Sequence, residues 1–118
     1  AGNASIIVPG QNTSLLATEL YQLLETSDVP AGYINILTTK QNSLNKILSE
    51  HENIDGIWFF SENNNERLKV IQNTTSNLKR TWCPQSKNLD WSSKKEDFLE
   101  EFLYQSTQVK NIWIPYGE

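Results

Sequence analysis

Cys83 is the single thiol and His51 the single imidazole of this 118-residue chain. A cysteine nucleophile needs a thiolate made accessible by a base, a cation or a helix N-terminus. Lys79, Arg80 and Lys87 stand close to Cys83 in sequence, but His51 belongs to a different element. That spacing predicts a structural or loop thiol rather than a catalytic one. One histidine without a Cys or His at ligand spacing makes no metal centre. Glu100 and Glu101 are adjacent acids on the polar side of an amphipathic segment, with no cleft to pair them as acid and base. The stretch IWFFSENNNERL, residues 57 to 68, is different in kind. An apolar aromatic run stops at Ser61, and a polar, Asn-rich run begins. In α/β proteins such a strand-to-helix turn is where a nucleotide phosphate meets backbone amides. The sequence therefore offers one candidate binding corner, no catalytic residue and no metal site.

The elements that must position this corner alternate. SIIVP (5–9) is a β-branched run, expected to be a strand buried on both faces. Asn12 or Thr13 is placed to cap the following helix, whose apolar stripe is Leu16, Leu20, Leu23 and Leu24. YINILTT (33–39) reads as a second strand, and a helix with Leu44, Ile47, Leu48 and His51 on one stripe follows. IDGIWFF (54–60) is a third strand, and a helix over roughly 63 to 74 carries Leu68 and Ile71. NLKRTW is a fourth strand candidate, followed by a polar loop (83–93). Ser93 and Glu96 have capping-box spacing ahead of a helix bearing Phe98, Leu99, Phe102 and Leu103. The closing TQVKNIWIP alternates and then turns apolar, as a strand would. The rhythm predicts an α/β fold, a three-layer parallel sheet built from βαβ units, plus a C-terminal strand.

Composition narrows the partners. The chain has 14 acidic and 10 basic residues, a net charge of −4, and its longest cationic clusters are the pairs Lys79-Arg80 and Lys94-Lys95. That argues against nucleic acid. No apolar run approaches the roughly 20 residues that cross a membrane. A lone cysteine suits a reducing compartment, and the expected location is cytoplasmic. With no Met and Ala1 first, the chain is expected to have lost its initiator or to be a piece of something longer.

The residues also resemble the aldehyde dehydrogenase family. GNASIIVPGQNTSLLATELYQLLETSDVPAGYINILT is similar to its G-N-x-V-V-x-K-P-S-E-x-T-P pattern, helix and P-x-G-V-x-N-V-V-x-G. HENIDGIWFFS is similar to H-x-x-V-D-x-I-x-F-T-G-S, and STQVKNIWIPYGE looks like the terminal Y-T-x-V-K-x-V strand. The resemblance implies a Rossmann-like, NAD(P)-binding half-domain. It assigns cofactor contacts to Pro9, Gln11, Ser61 and Glu62, with Val8 at the ribose-binding Lys position and Gln11 at the Glu position. Ser61 replaces the Gly of the phosphate turn, and Glu62 replaces its Ser; a carboxylate there would repel a pyrophosphate. The general-base Glu falls on Pro84 by register, and the nucleophile would lie in a catalytic domain reduced here to a short segment.

These correspondences imply a partial cofactor-type domain at 1–82, a loop and amphipathic helix at 83–105 in place of the catalytic domain, and an oligomerisation-type strand at 106–118. The expected function is that of a truncated C-terminal dehydrogenase-like module, a pseudoenzyme. It would have a structural role in a larger dehydrogenase chain or homo-oligomer, with NAD(P) not held tightly. The alternative is a weak NAD(P)-binding module of an active enzyme.

Overall fold

The structure is a computed structural model. It describes residues 2–86, 89–93 and 95–117, the side chains of Gln11, Gln41 and Asn42 excepted. The chain divides into two units, Asn3–Asp90 and Trp91–Glu118, the latter together with Ala1–Gly2. Lys87 and Lys94, two of the cations named above, lie outside the described residues.

The larger unit is mixed α/β. Strand β1 (Ser5–Ile7) leads through helix α1 (Ser14–Glu25) to β2 (Ile34–Ile36). Helix α2 (Gln41–Glu50) then leads to β3 (Gly56–Trp58), α3 (Asn64–Asn73) and β4 (Arg80–Trp82). β1 and β2 pair in parallel, Ser5 opposite Ile34 and Ile7 opposite Ile36. β3 and β4 do the same, Gly56 opposite Arg80 and Trp58 opposite Trp82. A parallel pair needs a long crossover, and each is bridged by a helix, so the unit contains two βαβ motifs. The four strands hydrogen-bond as two two-stranded sheets rather than as one continuous sheet.

Each ladder runs slightly past its strand. Ser5 N–H donates to Tyr33 O (2.7 Å) and Leu37 N–H to Ile7 O (3.0 Å). In the second sheet Arg80 N–H donates to Asp55 O (3.1 Å) and Phe59 N–H to Trp82 O (2.9 Å). Side chains alternate along a strand, so Trp58 and Phe60 share a face. Both meet Trp82 edge-on, with centroids 5.1 and 5.5 Å away. Phe59 points the other way and is buried, as are Val70 of α3 and Ala17 of α1. α2 packs against α3.

Several local expectations are corrected. β1 is exposed along its length rather than buried on both faces, because its two-stranded sheet supplies too few layers to cover it. Thr13 stands at the N-cap position of α1 but makes no side-chain capping bond; it closes a 3-10 turn (Gln11–Thr13), and its hydroxyl donates back to Gly10 O (3.1 Å). The α1 stripe exists, but Leu16, Leu20 and Leu23 are exposed.

In the smaller unit, helix α4 runs from Glu96 to Ser106. The Ser93–Glu96 capping box does not form, since the helix begins at Glu96 itself. Ser93 Oγ instead accepts from Lys95 N–H (3.3 Å). Trp91, Phe98 and Phe102 make a local aromatic cluster, with Phe98 and Phe102 4.9 Å apart. Residues 107–117 carry no strand pairing within the chain. A strand is defined by hydrogen bonds to a neighbour, and alternating apolar residues cannot supply that neighbour. Val109, Ile112, Trp113, Ile114 and Tyr116 are left exposed.

Candidate functional site

The corner read from IWFFSENNNERL stands at the carboxyl end of β3, where the chain turns into α3. Ligands of α/β proteins bind at such strand ends. Here the turn is hydrogen-bonded to itself. Asn63 is the N-cap of α3, and its Oδ1 accepts from Asn65 N–H (3.0 Å). Ser61 Oγ accepts from Asn63 N–H (3.1 Å) and donates to Glu66 Oε2 (3.2 Å). Glu66 lies in the first turn of α3, where the positive end of the helix dipole favours a carboxylate. Arg67 is turned toward β4: its Nε donates to Cys83 O (2.9 Å), and its Nη1 donates to Asn64 Oδ1 (3.1 Å).

The four sequence-assigned positions divide between two places. Pro9, half-buried, follows β1, and Gln11 opens the 3-10 turn, with its side chain outside the described residues. Ser61 and Glu62 follow β3, in the other sheet. Ser61 is part of the hydrogen-bonded corner. Glu62 is exposed and precedes the cap residue, so the carboxylate that engages Ser61 is Glu66 rather than Glu62. Asn63, Glu66 and Arg67 were not singled out from sequence. A signal was present, because Asn63 and Glu66 have the N-cap-to-N3 spacing of a capping box.

Cys83 follows β4, half-buried. Burial pushes its thiol pKa up, with the Arg67 charge and the Phe59 backbone amide pulling the other way. A raised pKa leaves little thiolate at neutral pH, the opposite of what a nucleophile requires. Alkylation by iodoacetamide near pH 8 is expected to be slower than for free cysteine. Its pH profile should have a midpoint above the ordinary thiol value of about 8.5. A rate equal to that of free cysteine would show the thiol to be activated or fully open.

His51 ends α2 as its C-cap, and its Nδ1 accepts from Asn53 N–H (3.2 Å). Among the described residues no group of three or more His, Cys, Asp or Glu side chains is placed to hold a metal ion. Among the described residues no helix is long and apolar enough to cross a membrane. A shallow groove of about 470 Å³ lies between α1 and β2, lined by Ala17, Tyr21 and Ile36 among others.

Two βαβ motifs, with a strand-to-helix corner after β3, define a mixed α/β fragment. The aldehyde dehydrogenase family model matches residues 1–84, ending two residues beyond β4. The NADP/NAD-dependent aldehyde dehydrogenase PuuC of Escherichia coli (strain K12) is 30% identical over 82 residues, which cover 70% of this chain and 17% of that protein. No solved structure matches significantly. The chain belongs to the aldehyde dehydrogenase family and spans under a fifth of the length of this relative.

The family is NAD(P)-dependent, yet the residues at the α3 corner do not fit a dinucleotide. The Asn65 amide already has the Asn63 side chain as acceptor, and the Ser61 hydroxyl is engaged at both ends. A carboxylate, Glu66, stands in the first turn of α3, and its charge opposes a pyrophosphate there. No chemistry through the cofactor is derived for this chain.

Proposed function

We propose that this chain is a non-catalytic module of an aldehyde dehydrogenase assembly, a pseudoenzyme segment acting as scaffold in the cytoplasm. In this reading its two βαβ motifs become part of one three-layer, Rossmann-like parallel sheet when neighbouring modules are present. Its C-terminal segment adds a strand to the sheet of a second copy or of a larger dehydrogenase chain.

The observation that carries this reading is the exposed run from Val109 to Tyr116, in which Trp113 is 93% exposed. Unpaired backbone next to alternating apolar side chains gains both hydrogen bonds and buried area by joining a sheet edge. Aromatic and aliphatic anchors of this type dominate interface energies. The exposed Leu16, Leu20 and Leu23 of α1 supply further apolar surface for a neighbour to cover. The self-bonded α3 corner supports a structural part over a cofactor-binding one.

Sedimentation velocity of the 118-residue chain tests this, alongside a Trp113→Asp/Ile114→Asp double variant. The unmodified chain is expected to self-associate, and the variant to do so at least about tenfold more weakly, through loss of the two central anchors. A chain that stays monomeric at high concentration would remove the second-copy assembly. Calorimetry separates the alternative of a weak cofactor module, since NAD or NADP binding tighter than about 1 mM would establish it.

A further inference from the structure

We infer that Glu66, held by Ser61, is the group that bars anionic ligands from the N-terminus of α3. This rests on the scaffold reading above and deepens it by naming the excluding residue. A free helix N-terminus attracts phosphate through its open amides and its dipole. Three features remove that attraction here. Asn63 Oδ1 takes the Asn65 N–H, which a phosphate oxygen would otherwise accept. Ser61 Oγ takes the Asn63 N–H and directs its own proton to Glu66 Oε2. The half-buried Glu66 carboxylate then places a full negative charge in the first helical turn.

Arg67, the cation of that same first turn and so the natural phosphate partner, is committed elsewhere. Its two described hydrogen bonds run to Cys83 O and Asn64 Oδ1. Glu62 carries the same charge, but it is exposed and lies ahead of the cap, where water and salt screen it. The sequence register assigns the phosphate position to Glu62, whereas the hydrogen bonds hold Glu66 against Ser61 in the first turn of α3. The two carboxylates therefore make different predictions.

The probe is inorganic pyrophosphate, titrated at constant ionic strength against the full chain and followed by amide chemical shifts of residues 61–67. Glu66→Gln keeps an oxygen acceptor for the Ser61 hydroxyl and removes only the charge, so the turn retains its geometry. It is expected to bind pyrophosphate at least about tenfold more tightly than the unmodified chain, with the largest shifts at Asn64 to Arg67. Glu62→Gln should change affinity less than about twofold, as befits a screened surface charge. Ser61→Ala, which leaves the Glu66 charge in place, should still exclude the anion.

Equal gains in the Glu62 and Glu66 variants would overturn the inference. So would no gain in Glu66→Gln with an unchanged circular dichroism spectrum, or tight binding by the unmodified chain. A Glu66→Gln chain that loses its helix is replaced by Glu66→Asp. There the shorter carboxylate cannot reach Ser61 but keeps its charge, and anion binding by that variant would also overturn the inference. None of these outcomes depends on whether the chain self-associates, so this inference and the assembly reading fail independently.

Discussion

Phe59→Ala is expected to lower the unfolding free energy of the 3–90 unit by about 3–4 kcal/mol, the usual cost of emptying a buried phenylalanine site. Phe59 is only 7% exposed, and its backbone N–H extends the β3–β4 ladder to Trp82 O. The ladder fixes which face the ring takes, so the ring cannot swing out without breaking that hydrogen bond. Few other apolar side chains are buried, Val70 and Ala17 among the described residues, so little surrounding mass is available to collapse into the cavity. Urea titration followed by tryptophan fluorescence measures the change, since Trp58 and Trp82 sit in the same sheet. Phe60→Ala is the matched control. Phe60 is half-buried on the opposite face and meets Trp82 edge-on at 5.5 Å. Its loss is expected to cost about 1–2 kcal/mol, from partial burial plus the ring pair. If both variants fell by the same amount, burial of Phe59 would not be what holds this half together.

Lys79→Met is expected to cost about 2 kcal/mol, through acceptors left without a donor. Lys79 is 8% exposed, and its Nζ donates to Leu48 O (3.3 Å) and to His51 O, the last carbonyls of α2. A cation at a helix C-terminus also opposes the negative end of the dipole. In the orientation that satisfies both ends of its amide, Asn77 donates to Thr74 O (2.9 Å) and accepts from Lys79 Nζ (3.3 Å). Leu78, between them, adopts the left-handed conformation with φ 52, which turns the chain so that Lys79 points back at α2. Methionine keeps the stem and removes the ammonium, so the measured loss reports the donor. Hydrogen exchange should show the last turn of α2 opening first in the variant. Protection there equal to that of the unmodified chain would show that Lys79 is not the cap.

The pH dependence follows from the same burial. Desolvation lowers the Lys79 pKa, with the Asp55 charge partly opposing it. A depressed lysine pKa means the folded state disfavours the charged form. The penalty is full below the folded pKa and is relieved as pH rises toward the unfolded value of about 10.4. Cys83 has the reverse sign: its raised pKa leaves stability intact below about 8.5 and lowers it as pH rises beyond. Lys79→Met therefore isolates the lysine part. The stability gap between unmodified and variant chains should widen as pH climbs through the alkaline range.

Much of the larger unit was legible in the order of residues. All four strands formed within the runs SIIVP, YINILTT, IDGIWFF and NLKRTW, and α1, α2 and α3 formed between them. These elements depend on neighbours a few residues apart, through backbone hydrogen bonds and apolar spacing, and sequence records such neighbours directly. The corner was legible as a position but not as a set of bonds. Register pointed to Glu62, while the fold of the turn brought Ser61 within reach of Glu66, five residues on.

Only the tertiary structure decided which apolar faces are covered. The stripe on α1 and the alternation over 107–117 satisfy helix and strand rules, yet their side chains are largely exposed. Burial requires a surface brought from elsewhere, and periodicity specifies only the half of the contact that lies on its own element. Lys79 is the converse case, a charged residue in a polar stretch that became buried because the β3–β4 pairing carried it to carbonyls 28 and 31 residues earlier. The sequence by itself determined the family and the strand-helix rhythm. The pairing of strands, the closing of the corner by Glu66 and the burial of Lys79 came from distant segments meeting, because those energies depend on separation in space and not along the chain.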